Sequence, residues 1–237
     1  MITITGLQKR FGKLAVLRGI DLNIAPGKVT AIVGPNGSGK TTLIKTLLGL
    51  VRPDSGTISL AGVSLNGDPS YREMIGYMPQ AGKFPENLTV SEVLRLVKDV
   101  RRHSGPLDEA LFEQFQLAES LNKPIRTLSG GTRQKLSATI AFLFRPEILI
   151  LDEPTAGLDP VASAQLKDKI CRERDGGRTV ILTSHIMSEI EALSDILVFL
   201  QDGKVFYNGT LAAMIHSSGE TRLERAIARL MEGGDAA

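Results

Sequence analysis

Apolar and polar positions alternate in three stretches of the first third of the chain, residues 3–7, 20–24 and 57–60. β-Branched residues are frequent there, and Gly, Pro or Asp bound each stretch. That pattern predicts strands with one covered face. Val29–Val33 is instead a short apolar run, as expected of a strand buried on both faces. A helix is expected from about residue 39 to residue 48, with Gly49 near its end. The middle of the chain changes character. Thr89 and Glu92 have the spacing of a capping box, and Val93, Leu94, Leu96, Val97 and Val100 follow at helical spacing. Residues 107–121 read as a further helix, so a helical insertion is expected between two parts of an α/β core. The last third alternates buried-strand candidates, residues 148–151, 179–183 and 196–200, with helices. One helix starts at Asp159 and Pro160, where Asp can cap and Pro suits the first turn. Residues 201–204 carry a hairpin signal, 222–231 suit a short amphipathic helix, and 233–237 are expected to fray.

Composition narrows the class. At 237 residues with 42 % apolar and 23 % charged residues, the chain is expected to be one globular unit with subdomains. A net charge of +2 gives no sign of a nucleic-acid partner. A single cysteine, Cys171, excludes an internal disulfide and reads as inert. The first residues lack the form of a signal peptide. No apolar run approaches the roughly 18 residues that cross a bilayer, so a soluble chain is expected and any membrane role requires a partner.

The chemistry begins at Gly34, Pro35, Asn36, Gly37, Ser38, Gly39, Lys40, Thr41 and Thr42, which match the phosphate-loop pattern G-x-x-x-x-G-K-[ST] between a strand and a helix. Glycines let backbone N–H groups turn toward a multiply charged anion, and the helix N-terminus adds partial positive charge. Lys40 can reach the β- and γ-phosphates, and the Thr41 hydroxyl can ligate Mg²⁺. Such a loop needs a carboxylate on a neighbouring strand. Residues 148–151 form an apolar run that ends in Asp152, suited to hold Mg²⁺, and Glu153, suited to polarise the attacking water. Between these halves, Leu128, Ser129, Gly130, Gly131 and Thr132 precede a helix. Ser129, Gly130 and Gly131 read either as a second phosphate-type surface or as an ordinary helix cap.

In this order the motifs resemble those of the ATP-binding-cassette (ABC) ATPases over about residues 2–215. The resemblance makes residues 34–42 the Walker A loop, Phe11 the aromatic that stacks on adenine, and Gln80 the glutamine that touches Mg²⁺ or the attacking water. It makes residues 128–132 the signature, 148–153 the Walker B strand with catalytic Glu153, 156–159 the D-loop ending in Asp159, and His185 the switch histidine. Read from the residues alone, Phe11 could be a core aromatic and His185 a structural histidine. The signature departs from the common form in carrying Thr132 where Gln is frequent, and Phe11 stands where Tyr is commoner. Lys98, Arg101, Arg102 and His103 form a basic run that reads as a solvated helix end.

The resemblance implies an α/β fold: a RecA-like P-loop NTPase core with an N-terminal antiparallel β subdomain and a helical subdomain insertion. It implies one nucleotide-binding domain over 1–237, with the core in about 2–80 and 148–215, the helical subdomain in 85–145 and a tail at 216–237. It also implies ATP and Mg²⁺ as ligands and a head-to-tail homodimer, with Ser129, Gly130 and Gly131 of one copy closing on the nucleotide of the other. The expected function is the ATPase subunit of a bacterial transporter, peripheral on the cytoplasmic face of the inner or plasma membrane and bound to separate integral membrane permease subunits. Phe84 and Leu88 are the candidate contacts with the permease. The motifs at 155–159 and 184–185 are more similar to exporter-type ATPases, and residues 77–88 are similar to ATPases that accompany nitrous-oxide reductase maturation and copper-site assembly. The alternative is a non-transport cassette, acting on nucleic acid or ribosomes, or as a regulatory cassette that changes the shape of a membrane complex.

Overall fold

The computed structural model describes residues 2–60, 62–65 and 69–231, so the predicted fraying of 233–237 lies outside the described residues. The chain divides into two units, residues 1–71 with 181–237, and residues 72–180. Unit one opens with β1 (Ile2–Phe11) and β2 (Leu14–Ile24), followed by β3 (Val29–Val33), α1 (Lys40–Leu47), β4 (Ser55–Leu60) and β5 (Val63–Ser64). β2, β1, β4 and β5 form an antiparallel sheet in that order. Ile2, Ile4 and Leu7 of β1 are buried, as are Leu17, Ile20, Leu22 and Ile24 of β2, whereas Asp21 and Asn23 are exposed. That alternation is the one-sided pattern read from the sequence. Both strands run longer than the predicted 3–7 and 20–24. Polar Lys9, Arg10 and Arg18 continue the ladder on its way to the hairpin, pairing as Gln8 with Arg18, Lys9 with Leu17 and Phe11 with Leu14.

Unit two contains β6 (Ile75–Met78), α2 (Val90–Arg101), α3 (Ala110–Gln114), α4 (Gly130–Leu143), β7 (Ile148–Asp152) and α5 (Pro160–Asp175). β8 (Thr179–Thr183) crosses the division between units. Parallel β6 and β7 pair from Ile75 with Ile148 to Met78 with Leu151. The sequence pattern does not single out β6. Gly76 is its telling residue, since a Cβ there would stand 2.1 Å from the Ala141 carbonyl oxygen of α4. The Thr89–Glu92 capping box forms as expected, each side chain bonding the other's backbone N–H. Asp159 caps α5, accepting from the Ala162 N–H at 2.9 Å.

Two expectations are corrected in unit two. Residues 107–121 are not one helix: α3 spans only five residues, and Gln116, at φ 54°, turns the chain into a 3₁₀ turn at Leu117–Ser120. Leu111, Phe115, Leu117 and Ser120 are all buried, so the local break serves burial better than a continuous helix with one apolar stripe. The basic run is not merely a solvated helix end. The Arg101 guanidinium donates to the carbonyls of Arg72 (3.3 Å), Glu73 (3.0 Å) and Ile75 (2.7 Å). It also lies over the Phe144 ring at 5.3 Å, and His103 meets that ring edge-on. Lys98 pairs with Glu109 on the exposed surface, and Arg102 and His103 are exposed, so Arg101 is the member of the run that departs from the expected solvated helix end.

The chain returns to unit one with α6 (Met187–Leu193), β9 (Ile196–Gln201), β10 (Lys204–Thr210), α7 (Leu211–Ser218) and α8 (Leu223–Met231). β9 runs parallel to β3, Thr30 opposite Ile196 and Val33 opposite Phe199, and β10 closes that edge antiparallel. Asp202 and Gly203, at φ 48° and 74°, make the predicted two-residue hairpin turn. The neighbour order is β10, β9, β3, β8 in unit one and β8, β7, β6 in unit two. β3, β7 and β8 are buried throughout, as parallel strands covered on both faces must be. Among the described residues, no helix is long and apolar enough to cross a membrane.

Replacing Arg101 with Met removes a charged donor from three carbonyls. The expected loss is about 1–3 kcal/mol, seen as a lower urea midpoint at unchanged m. An unchanged midpoint would restore Arg101 to the solvated helix end.

Candidate nucleotide site

β3 is apolar enough to bury along its length and delivers the chain at Val33 into a loop that α1 ends at Lys40. Two glycines in this loop have backbones that nothing larger could replace. At Gly34, φ is 150° and a Cβ would lie 1.9 Å from the Leu200 carbonyl oxygen. At Gly39, φ is 108° and a Cβ would meet Leu17 at 2.9 Å and the Val16 carbonyl at 3.0 Å. Gly39 stands at the N-cap of α1 and, being glycine, caps it with no side chain, so the positive end of the helix faces the loop. Ser38 is 2 % exposed, and among the described residues its hydroxyl has no hydrogen-bond partner. A buried hydroxyl without a partner is costly in a folded chain, and inside a loop of this kind it suits an anionic oxygen. The Lys40 ammonium donates to the carbonyls of Gly34 (2.6 Å) and Pro35 (3.0 Å). Asn36, Gly37 and Thr41 are exposed, Pro35 and Thr42 half-buried. The loop is supported from behind by the β9–β10 turn, whose Gly203 N–H donates to the Ser38 carbonyl at 3.1 Å.

Two further predicted residues lie in the same unit. Phe11, at the end of β1, is 51 % exposed, which removes the core-aromatic alternative. His185 follows β8 and is exposed. The residue beside it carries a tether that sequence reading missed. The Ser184 hydroxyl accepts from the Ile186 N–H at 3.0 Å and donates to the Glu189 carboxylate at 3.2 Å, and Glu189 is 5 % exposed. An acid four residues past the histidine, on the next helix, was the available signal.

Unit two holds the other predicted groups. Asp152 ends β7 and is 8 % exposed. Burial, and secondarily the Asp152 charge, pushes the Tyr77 hydroxyl above its ordinary pKa. The next residue, Glu153, has φ 48°, a left-handed backbone that is uncommon for a residue with a Cβ and clusters at functional sites. Gln80, two residues past β6, donates from Nε2 to the Glu153 carboxylate at 3.0 Å. β6 and β7 pair in parallel, so the two side chains emerge from the same end of that pair.

Ser129 is the N-cap of α4, its Oγ accepting from the Thr132 N–H at 3.1 Å and meeting the Thr132 hydroxyl at 2.9 Å. Thr132, the departure from the common signature, therefore orients the serine hydroxyl. Gly131 sits against the D-loop, where a Cβ would be 3.0 Å from the Gly157 carbonyl oxygen. Lys135 of α4 pairs with Asp159 at 2.7 Å. Both Asp159 oxygens are thus engaged, one by Lys135 and one by the Ala162 N–H, and these bonds, Lys135 first, hold its carboxyl below the usual range. Among the described residues no group of three or more His, Cys, Asp or Glu could hold a metal, so any ion here would depend on ligand oxygens as well as protein ones.

Residues 17–156, more than half of the chain, match the family model described as ABC transporter. A daunorubicin resistance ATP-binding protein, DrrA3, of Streptomyces coeruleorubidus is 36 % identical over 94 % of this chain and 72 % of its own length. A lantibiotic transport ATP-binding protein, SrtF, of Streptococcus pyogenes is 35 % identical over 86 % of this chain and 89 % of its own. A Nod factor export ATP-binding protein I of Ralstonia nicotianae is 33 % identical over 88 % and 67 %. A solved ATP-binding subunit of an ABC transporter superposes with a TM-score of 0.91 at 30 % identity, covering 98 % of this chain and 99 % of that one. A dimeric bacterial ABC transporter cassette shares the fold, with a TM-score of 0.77 at 23 % identity over 89 % and 98 %. The chain belongs to the ABC transporter family, as one of its ATPase subunits.

Proposed function

We propose that this chain binds and hydrolyses ATP to drive an exporter, two copies closing head to tail on nucleotide and working on separate membrane permease subunits. The observation that carries the nucleotide reading is the loop at 34–39, cradled by two glycines that accept no Cβ and holding a buried Ser38 hydroxyl without a partner. On this reading N–H groups of the loop and of the first turn of α1, with the Ser38 hydroxyl, take the phosphate oxygens. Lys40 exchanges the Gly34 and Pro35 carbonyls for the β- and γ-phosphates. Phe11 offers its exposed ring to the base.

Thr41, Gln80 and Asp152 are the residues that would hold Mg²⁺, which when bound neutralises charge on the phosphates. The oxygen and amide donors of this set suit a hard cation that keeps several of its own waters. Glu153 polarises the attacking water, and Gln80, now bonded to Glu153, is placed to exchange that carboxylate for the ion or the water. His185 contacts the γ-phosphate. Ser129, Gly130 and Gly131 of the second copy meet the γ-phosphate with the N-terminus of α4. Asp159 belongs to the nucleotide site by holding the D-loop against that helix through Lys135.

Closure on ATP and opening after hydrolysis form a ligand-linked two-state element. Its work would be delivered on the cytoplasmic face of the membrane, through Phe84 and Leu88 to the permease. The names of the relatives, drug resistance, Nod factor export and lantibiotic transport, support outward movement of cargo.

Lys40→Ala is expected to abolish ATP binding, measured by titration calorimetry. Glu153→Gln is expected to keep binding, lose hydrolysis and accumulate an ATP-bound dimer on size exclusion; a monomer at saturating ATP would overturn the two-copy site. His185→Ala is expected to lower turnover by about 100-fold or more, and unchanged turnover would reduce the residue to a structural role.

A further inference from the structure

The ring of Phe11 is not alone at the end of β1. Lys9 precedes it by two residues, across a register shift between Lys9 and Arg10. The Lys9 ammonium lies over the Phe11 ring, 5.4 Å from its centroid. The same ammonium is held by Asp54 Oδ1 at 2.9 Å, and the Lys9 side chain is only 15 % exposed. Asp54 is itself fixed to the strand beneath. Its Oδ2 accepts the Arg10 N–H at 2.6 Å and its own N–H donates to the Gln8 carbonyl at 2.9 Å. Three consecutive residues of β1, Gln8 through Arg10, are thus tied to Asp54 in the turn before β4, Lys9 and Arg10 through its carboxylate and Gln8 through its backbone N–H.

We infer that Lys9 and Asp54 are positioning residues for base recognition: they fix the Phe11 ring and close one of its faces with a cation, so that a single purine stacks on the other. This rests on the reading of Phe11 as the base platform. A lysine free in solution samples many rotamers, and Asp54 removes that freedom, so the cation sits over the ring before nucleotide arrives. A cation over a π face is attracted to it and draws electron density from the ring. The opposite face then stacks more favourably on an electron-rich purine. The ammonium is charge-balanced by Asp54, so its contribution is directed at the ring and the base rather than at the phosphates. Asp54 is well suited to this task, because its bonds to Lys9 and to the Arg10 N–H hold the carboxyl below the usual range and keep it charged.

The test compares ATP with inorganic tripolyphosphate, which has the phosphates and no base, on the full chain by titration calorimetry. The variant is Lys9→Met with Asp54→Asn, which keeps the net charge and retains a side-chain oxygen for the Arg10 N–H. ATP affinity is expected to fall about three- to fivefold, with tripolyphosphate affinity unchanged. Lys9→Arg, which keeps the cation, is expected to stay within about twofold of the parent for ATP. Phe11→Ala tests the underlying reading separately and is expected to weaken ATP by about tenfold. If Phe11→Ala weakens ATP binding and the double variant does not, the support role is overturned while the base platform stands. If Phe11→Ala leaves ATP binding unchanged, the base platform itself is overturned. Equal losses for ATP and tripolyphosphate in the double variant would overturn the proposal in favour of general destabilisation. Lys9→Gln alone gives the same comparison should the double variant not fold.

Discussion

The phosphate loop depends on a backbone that passes closer to its surroundings than any side chain allows. Gly34 runs against the Leu200 carbonyl and Gly39 against β2, and neither leaves room for a Cβ. These contacts set the direction in which the loop's N–H groups point, and they make the position of β9 and of the 202–203 turn part of the loop's support. Strands β3 and β9, buried and in parallel register, keep that geometry stiff. A phosphate bound by such a loop meets donors already oriented, so little ordering cost remains at the moment of binding.

A comparable economy of motion holds in unit two. Glu153 is kept in a left-handed backbone directly after a fully buried strand, and its carboxylate is occupied by Gln80. The strained position aims the side chain, and the amide gives it a resting partner that an ion or water can replace. The signature helix and the D-loop are joined by Lys135 with Asp159 and by the close approach of Gly131 to Gly157. Both segments are therefore held as one piece. Arg101 anchors α2 to the carbonyls that lead into β6, the strand that ends just before Gln80. A displacement of α2 would thus be felt at the start of that strand, because a charged donor shared among three carbonyls does not shift without breaking bonds.

Much of this was legible in the residue order. The phosphate loop, the carboxylate pair, the capping box at Thr89 and the cap at Asp159 follow from short-range rules, in which residue type and spacing decide the local backbone. Strands β3, β7 and β8 were readable because burial on both faces demands an apolar run. The errors arose where distant partners decide. The helix at 107–121 breaks at Gln116 because four non-periodic side chains find burial there, and the basic run holds Arg101 because carbonyls 26 to 29 residues away accept from it.

The sequence by itself marked out the candidate residues for the chemistry, since Gly, Lys, Ser, Asp and Glu at those spacings have few other uses. It also determined that the last third of the chain alternates strand and helix. Only the tertiary structure decided how those residues are held. Lys9 over Phe11, Asp54 under three residues of β1, Glu189 behind Ser184 and Lys135 against Asp159 each pair groups through the fold, by contacts that the local pattern of neither partner announces. Hydrogen bonds and ion pairs act over a few ångströms of space, and chain separation says nothing of that distance until the sheets and helices have packed.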